Sequence, residues 1–173
     1  MIVVTGAPRT GTSIMMRTLI TLGKESPAPK FLDYHNKIRD YNKDGFFEFA
    51  YEVVYGVKSP KYKGKVVKLF GGQFAQTPEK YIDKVIWCKR NDEDAIKSYE
   101  PIHKILKEEL SPRVAYRLID KLIKIIIENY DYLVVELEDF KKNPKKTIID
   151  ICDFLGIEKK ENIMKEAINN IKK

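Results

Sequence analysis

The feature that most narrows what this chain can fold into lies at its start. The β-branched run Ile2-Val3-Val4-Thr5 breaks at Gly6, passes through Ala7-Pro8-Arg9-Thr10-Gly11-Thr12-Ser13, and gives way to Ile14, Met15, Thr18, Leu19 and Leu22 at helical spacing. A buried strand, a glycine-bounded loop and a helix are thus compressed into 22 residues, with Gly23 closing the helix and Ser26-Pro27-Ala28-Pro29 unable to extend it. The same alternation recurs downstream. Val66 to Phe70 reads as a strand followed by Gly71-Gly72, and Thr77-Pro78-Glu79 reads as a helix start. Val85 to Cys88 is another strand, followed by a helix from Asp92 to about Leu110 and a second capped by Ser111-Pro112. Tyr132 to Leu137 is a fourth strand, Pro144 to Leu155 a helix ending at Gly156, and Ile163, Ala167, Ile168 and Ile171 mark a last one. Strands alternating with helices predict an α/β fold, an open and mostly parallel sheet with helices on both faces. Ligands of such sheets sit at the carboxyl ends of the strands, where the loops after Thr5, Phe70 and Cys88 converge.

A loop between a buried strand and a helix can wrap its N–H groups round a phosphate, and the helix N-terminus adds roughly half a positive charge. Gly6 and Gly11 have the spacing of the phosphate loop G-x-x-x-x-G-K-[ST], whose lysine reaches the β/γ-phosphates and whose hydroxyl binds magnesium. Here Thr12 occupies the lysine position, although Ser13 keeps the hydroxyl. Nor does an apolar strand end in a magnesium-holding aspartate: Val85-Ile86-Trp87-Cys88 runs into Lys89-Arg90. The loop therefore reads as a cradle for one phosphate, with Arg9 as an extra fixed cation.

Composition bounds the ligand. With 173 residues, 43% hydrophobic and 33% charged, the chain suffices for one well-packed domain, expected to span residues 1 to 173. A net charge of +7 and a pI near 9.2 favour anionic ligands. The lysines are scattered among glutamates, as at Lys121, Lys124 and Glu128, which is the pattern of a solvated helix face and argues against nucleic acid. Cys88 and Cys152 lie inside apolar runs without metal-ligand spacing and read as core residues in a reducing, cytoplasmic compartment. No stretch approaches the roughly 20 apolar residues of a membrane span. Residues 31 to 55 have weak periodicity and hold eight aromatics, including Phe31, Tyr34, Tyr41 and Tyr55. They read either as a lid or acceptor wall or as an apolar cluster beneath a loop.

Three stretches resemble one family. Gly6 to Ser13 resembles the 5′-phosphosulfate loop of sulfotransferases, which carries proline, a basic residue, a small residue, Gly-Thr and a further Thr or Ser. Val85 to Ser98 is similar to the family's 3′-phosphate motif: a strand, Arg90, an acidic turn, and Ser98 eight residues after the arginine. An arginine at a strand end and a serine two turns into the next helix can grip one phosphate from two directions. Leu133 to Phe140, continuing through Asn143-Pro144 to Cys152-Asp153-Phe154-Leu155-Gly156, looks like the family's "YEDL … P … FLG" segment. Together they fall at the start, middle and end of the chain in the family order.

The resemblance implies a P-loop nucleoside triphosphate hydrolase-like fold, with 3′-phosphoadenosine 5′-phosphosulfate (PAPS) as sulfuryl donor, PAP as product and no metal. It puts Thr10, Gly11, Thr12 and Ser13 on the 5′-phosphate, Arg9 beside the transferred group, and Arg90 with Ser98 on the 3′-phosphate. Val66-Val67-Lys68 aligns with the family strand ending in "KTH", which makes Lys68 a second cation on the sulfuryl oxygens and drops the family's histidine base onto Phe70. Asn42 to Glu48 looks like the "NPKGYYE" stretch of short bacterial and phage members, so Glu48 becomes the first candidate base and His35 the second. Leu137 replaces the adenine-side tyrosine, Ile14 replaces a tryptophan common in cytosolic members, and no Arg-Lys-Gly follows near the C-terminus. The acceptor is a small molecule, glycan or peptide. The competing readings are a P-loop phosphotransferase using ATP and magnesium, and a non-catalytic nucleotide-binding module.

Overall fold

The computed structural model describes residues 1–27, 37–42, 45 and 62–171. Its centre is a parallel sheet of β1 (Ile2–Thr5), β2 (Val66–Lys68), β3 (Lys84–Lys89) and β4 (Tyr132–Glu136), in the order β2-β1-β3-β4. Around it pack α1 (Thr12–Thr21), α2 (Gly71–Gln76), α3 (Asp92–Leu106), α4 (Pro112–Ile127), α5 (Leu137–Lys142), α6 (Pro144–Leu155) and α7 (Glu161–Ile171).

The two-residue period of the strands sorts their side chains into two cores. Ile2, Val4, Ile86 and Cys88 face α1, α6 and α7, where Met15, Met16, Leu19, Ile148 and Ile151 are fully buried. Val3, Val85 and Trp87 face the other way, against Phe74 of α2 and Ile123 and Ile127 of α4. Each such aliphatic side chain taken from water stabilises the fold by about 1.5–3 kcal/mol. Both faces of β1 and β3 are therefore covered, as a parallel sheet requires, while the edge strand β4 leaves Tyr132 and Val134 exposed on one face. Cys88 and Cys152 are free thiols in the first core, and burial pushes the Cys88 thiol up to about 12 despite the opposing pull of Lys68.

The strand order also fixes where a ligand can enter. The chain leaves β1 through α1 on one face of the sheet and leaves β3 through α3 and α4, with α4 packed on the other. The carboxyl ends of β1 and β3 are adjacent, with Thr5 opposite Trp87, yet their connections diverge. That is a topological switch point, and it opens a crevice.

Local signals set several helix ends. Asn91 Oδ1 accepts from the Asp94 N–H at 3.2 Å, and Ser111 Oγ accepts from the Val114 N–H at 3.4 Å. Gly156 closes α6 in the left-handed region, and the Ile157 N–H reaches back to the Cys152 carbonyl at 2.8 Å. Helices α3 and α4 are clipped together by the Arg113–Glu93 pair (2.5 and 2.6 Å) and by Tyr116 donating to Asp92 at 3.0 Å.

Five boundaries differ from the sequence reading. Strand β2 stops at Lys68, and Gly71-Gly72 begin a helix, while Thr77 caps its end through a hydroxyl bond to the Gln73 carbonyl and only a 3-10 turn follows at Glu79–Tyr81. The reason is tertiary: α2 packs on α4, with Gly71 facing Ile119 and Leu122 at ordinary van der Waals distance. Helix α3 ends at Leu106 because Lys107 turns left-handed (φ 55°), and Leu137 opens α5 instead of closing β4.

Candidate active site

The loop after β1 is shaped by close approach as much as by flexibility. A Cβ on Gly6 would stand 2.3 Å from Thr10 Oγ1 and 2.5 Å from the Cys88 carbonyl oxygen, so only glycine lets the loop pass the end of β3. Pro8 and Arg9 then occupy the middle of a turn in which the Thr10 N–H and hydroxyl both donate to the Ala7 carbonyl, at 3.4 and 2.8 Å. Proline second and a positive φ third, 68° at Arg9, are the signature of a type II turn. Arginine in that region is strained, which is a common mark of functional loops. Gly11 follows at φ 93° and caps α1 without a side-chain bond; a Cβ there would meet Leu137 Cδ1 at 2.8 Å.

The first bond of α1 runs from the Met15 N–H to the Gly11 carbonyl at 3.0 Å, so the N–H groups of Thr12, Ser13 and Ile14 point out of the helix end. No acidic residue occupies that first turn. The end is an anion site by geometry and by dipole.

Cations surround it from three strands. Lys68 ends β2, is only 3% exposed, donates to Ser13 Oγ at 3.2 Å and lies 5.0 Å from the Phe70 ring centre. Its ammonium thus reaches the serine of the loop from the neighbouring strand. Arg9 Nε donates to Ser98 Oγ at 3.1 Å and its Nη2 to the Tyr41 carbonyl at 3.3 Å. Arg90, just beyond β3, donates through Nη1 to the Arg9 carbonyl at 3.5 Å, and its buried Nε faces the Glu138 carboxylate at 3.6 Å, an ion pair just too long for a hydrogen bond. Burial, and then the adjacent Arg90, hold the Arg9 guanidinium below its ordinary value. Two guanidiniums set this close favour an anion between them.

These groups open on a cavity of about 570 Å³. Arg9, Gly11, Thr12, Ser13, Lys68 and Arg90 all line it; Thr10 does not, being buried with its N–H and hydroxyl both on the Ala7 carbonyl, and neither does Ser98, which touches the site through Arg9. Glu48 and His35 lie outside the described residues, as does most of the aromatic segment, although Tyr41 and Asn42 line the cavity. The sequence reading missed Arg17 and Lys141 on the lining and did not see that Leu137 covers Gly11. Arg17 had a signal, since it sits one turn after Ser13 on α1. Lys141 had none beyond its charge.

No family model and no curated protein sequence matches the chain. Among solved structures it is similar to the sulfotransferase domain from the curacin biosynthetic pathway, with a TM-score of 0.58 over 94% of this chain and 75% of that one, at 14% identity. At that identity the likeness is one of fold. The chain is an α/β protein whose four-stranded parallel sheet is flanked by helices, a fold similar to that of this domain.

Proposed function

We propose that this protein transfers the sulfuryl group of PAPS to a hydroxyl or amine, without a metal. The observation that carries the reading is the pairing of an uncapped helix N-terminus with cations that come from elsewhere: Lys68 on Ser13, and Arg9 with Arg90 beside Ser98. Two separate anion positions fit a nucleotide phosphorylated at both 5′ and 3′ positions better than a triphosphate tail. Gly11, Thr12 and Ser13 take the 5′-phosphate, with Thr10 holding the turn before them through Ala7; Arg90 takes the 3′-phosphate, and Ser98 acts through Arg9, which bridges the two. The 570 Å³ cavity and the five cationic side chains on its lining are consistent with a ligand of that size and charge.

In the reaction the acceptor atom attacks sulfur in line with the bond to the 5′-phosphate oxygen. A new bond to sulfur forms, the old one breaks, PAP departs, and the acceptor's proton passes to a base, for which Glu48 is the candidate and His35 the second. Lys68 and Arg9 hold the charge that builds on the sulfuryl and bridging oxygens.

Thermal shift with PAP, with ATP plus magnesium, and with AMP tests the reading. Stabilisation by PAP is expected; stabilisation by ATP plus magnesium without PAP would make the protein a phosphotransferase instead. PAP binding without transfer from PAPS across an acceptor panel, in wild type and Glu48→Ala alike, would make it a non-catalytic module.

A further inference from the structure

Beyond the phosphate loop the cavity changes character. Its walls there are Ile38, Phe70, Tyr99, Ile102, Leu106 and Ile119, an apolar chamber drawn from four separate parts of the chain. One carboxylate faces this space among the described lining residues, that of Glu108, against five cationic side chains, Arg9, Arg17, Lys68, Arg90 and Lys141. Its position is constructed. Lys107 leaves α3 in the left-handed region (φ 55°, ψ 43°), which turns the chain back so that Glu108 accepts a hydrogen bond from the Tyr99 hydroxyl. Tyr99 is itself buried in the cluster of Ile38, Ile102 and Ala115 and fixes that end of the carboxylate. Helix α3 thus spans the site: Ser98 touches Arg9, while Leu106, about 12 Å further along the axis at 1.5 Å per residue, leads into the turn that carries Glu108.

Resting on the sulfuryl-transfer reading, we infer that this chamber is the acceptor site and that Glu108 selects an acceptor with an apolar or aromatic body and an ammonium group. A carboxylate with one oxygen bonded to Tyr99 keeps a second oxygen for a charge-assisted bond, and the apolar walls strengthen that bond by excluding water. An anionic acceptor would instead carry its charge onto the same carboxylate. Glu108 is here a specificity residue and takes no part in proton transfer.

Calorimetry with tyramine, 4-ethylphenol and 3-(4-hydroxyphenyl)propanoate, on the protein alone and with PAP, tests this. Tyramine is expected to bind about tenfold more tightly than 4-ethylphenol, and the propanoate most weakly. Glu108→Gln should bring tyramine and 4-ethylphenol to within about twofold of each other, and Glu108→Lys should reverse the order in favour of the propanoate. Tyr99→Phe, which keeps the ring and removes the bond, should retain part of the tyramine preference. Equal binding of the three phenols by wild type, no binding of any, or a tyramine preference that survives Glu108→Lys would overturn the assignment. Sulfuryl transfer from PAPS to 4-ethylphenol in the same preparations reports on the reaction separately: a tyramine preference without transfer keeps the chamber's specificity and sinks the reaction.

Discussion

The two ends of the cavity are built by opposite means. The phosphate end is eight consecutive residues whose backbone does the work: Gly6 passes the Cys88 carbonyl, Arg9 and Gly11 turn left-handed, and α1 presents its first N–H groups. The opposite wall is side chains alone, with Ile38, Phe70, Tyr99 and Ile119 brought together from distant positions around one carboxylate. The first can hold an anion whatever the identity of most loop side chains. The second owes its shape entirely to packing, so a few substitutions could refit it while the donor end stays as it is.

That contrast can be broken or sharpened by substitution. The largest effect is expected from Lys68→Met, which removes the buried ammonium beside Ser13. Turnover should fall about 100- to 1,000-fold while PAP affinity changes little, as initial rates and calorimetry would show. If PAP affinity falls equally, Lys68 belongs to ground-state phosphate binding.

Arg90→Ala should weaken PAP binding about 10- to 100-fold, the loss of about 1.5–3 kcal/mol of charged hydrogen bonding, with AMP affected less. Equal losses for PAP and AMP would place Arg90 on the 5′ side.

Two glycines separate close approach from mere helix formation. Gly6→Ala should cost about 1–3 kcal/mol in urea denaturation and abolish the PAP thermal shift, since a Cβ would overlap a backbone oxygen. Gly72→Ala, where nothing lies within 4 Å, should stabilise by about 0.4–1 kcal/mol. A tolerated Gly6→Ala would mean that the loop can lift away from β3.

The smallest expected effect concerns Asp120 on α4, beside the chamber residue Ile119. Burial first, and then the charge of Asp92, raise its carboxyl above the ordinary value, while Lys89 and Lys124 pull it down. A carboxyl raised on folding contributes stability while protonated, below its unfolded value, and loses it as pH rises through the folded value. Asp120→Asn should therefore raise the melting temperature at pH 7 and have little effect at pH 3.5. A melting temperature that falls at pH 7 would show that the attraction of Lys89 and Lys124 outweighs the burial.

The phosphate end was legible because its signals are local: two glycines at fixed spacing, a β-branched run before them and a helical period after. Lys68, Arg90 and Ser98 were singled out by their resemblance to family motifs; Lys68 and Arg90 line the cavity, and Ser98 reaches it only through Arg9. What the pattern misjudged were places where packing overrides propensity. Gly71-Gly72 looked like a loop and became the start of a helix pressed on Ile119 and Leu122, and the helix expected at Thr77 shrank to a single turn. Leu137 looked like the end of a strand and instead opens α5 over Gly11.

The amino-acid order by itself determined the α/β alternation, the loop that fits one phosphate, and the substitution of Thr12 for a lysine. Only the tertiary structure decided that a cation meets that loop at Ser13. Lys68, 55 residues after Ser13 in the chain, reaches it because β2 lies beside β1 in parallel register, with Lys68 opposite Val4. Strand pairing brings the two side chains together across the sheet, and no spacing along the chain encodes that distance.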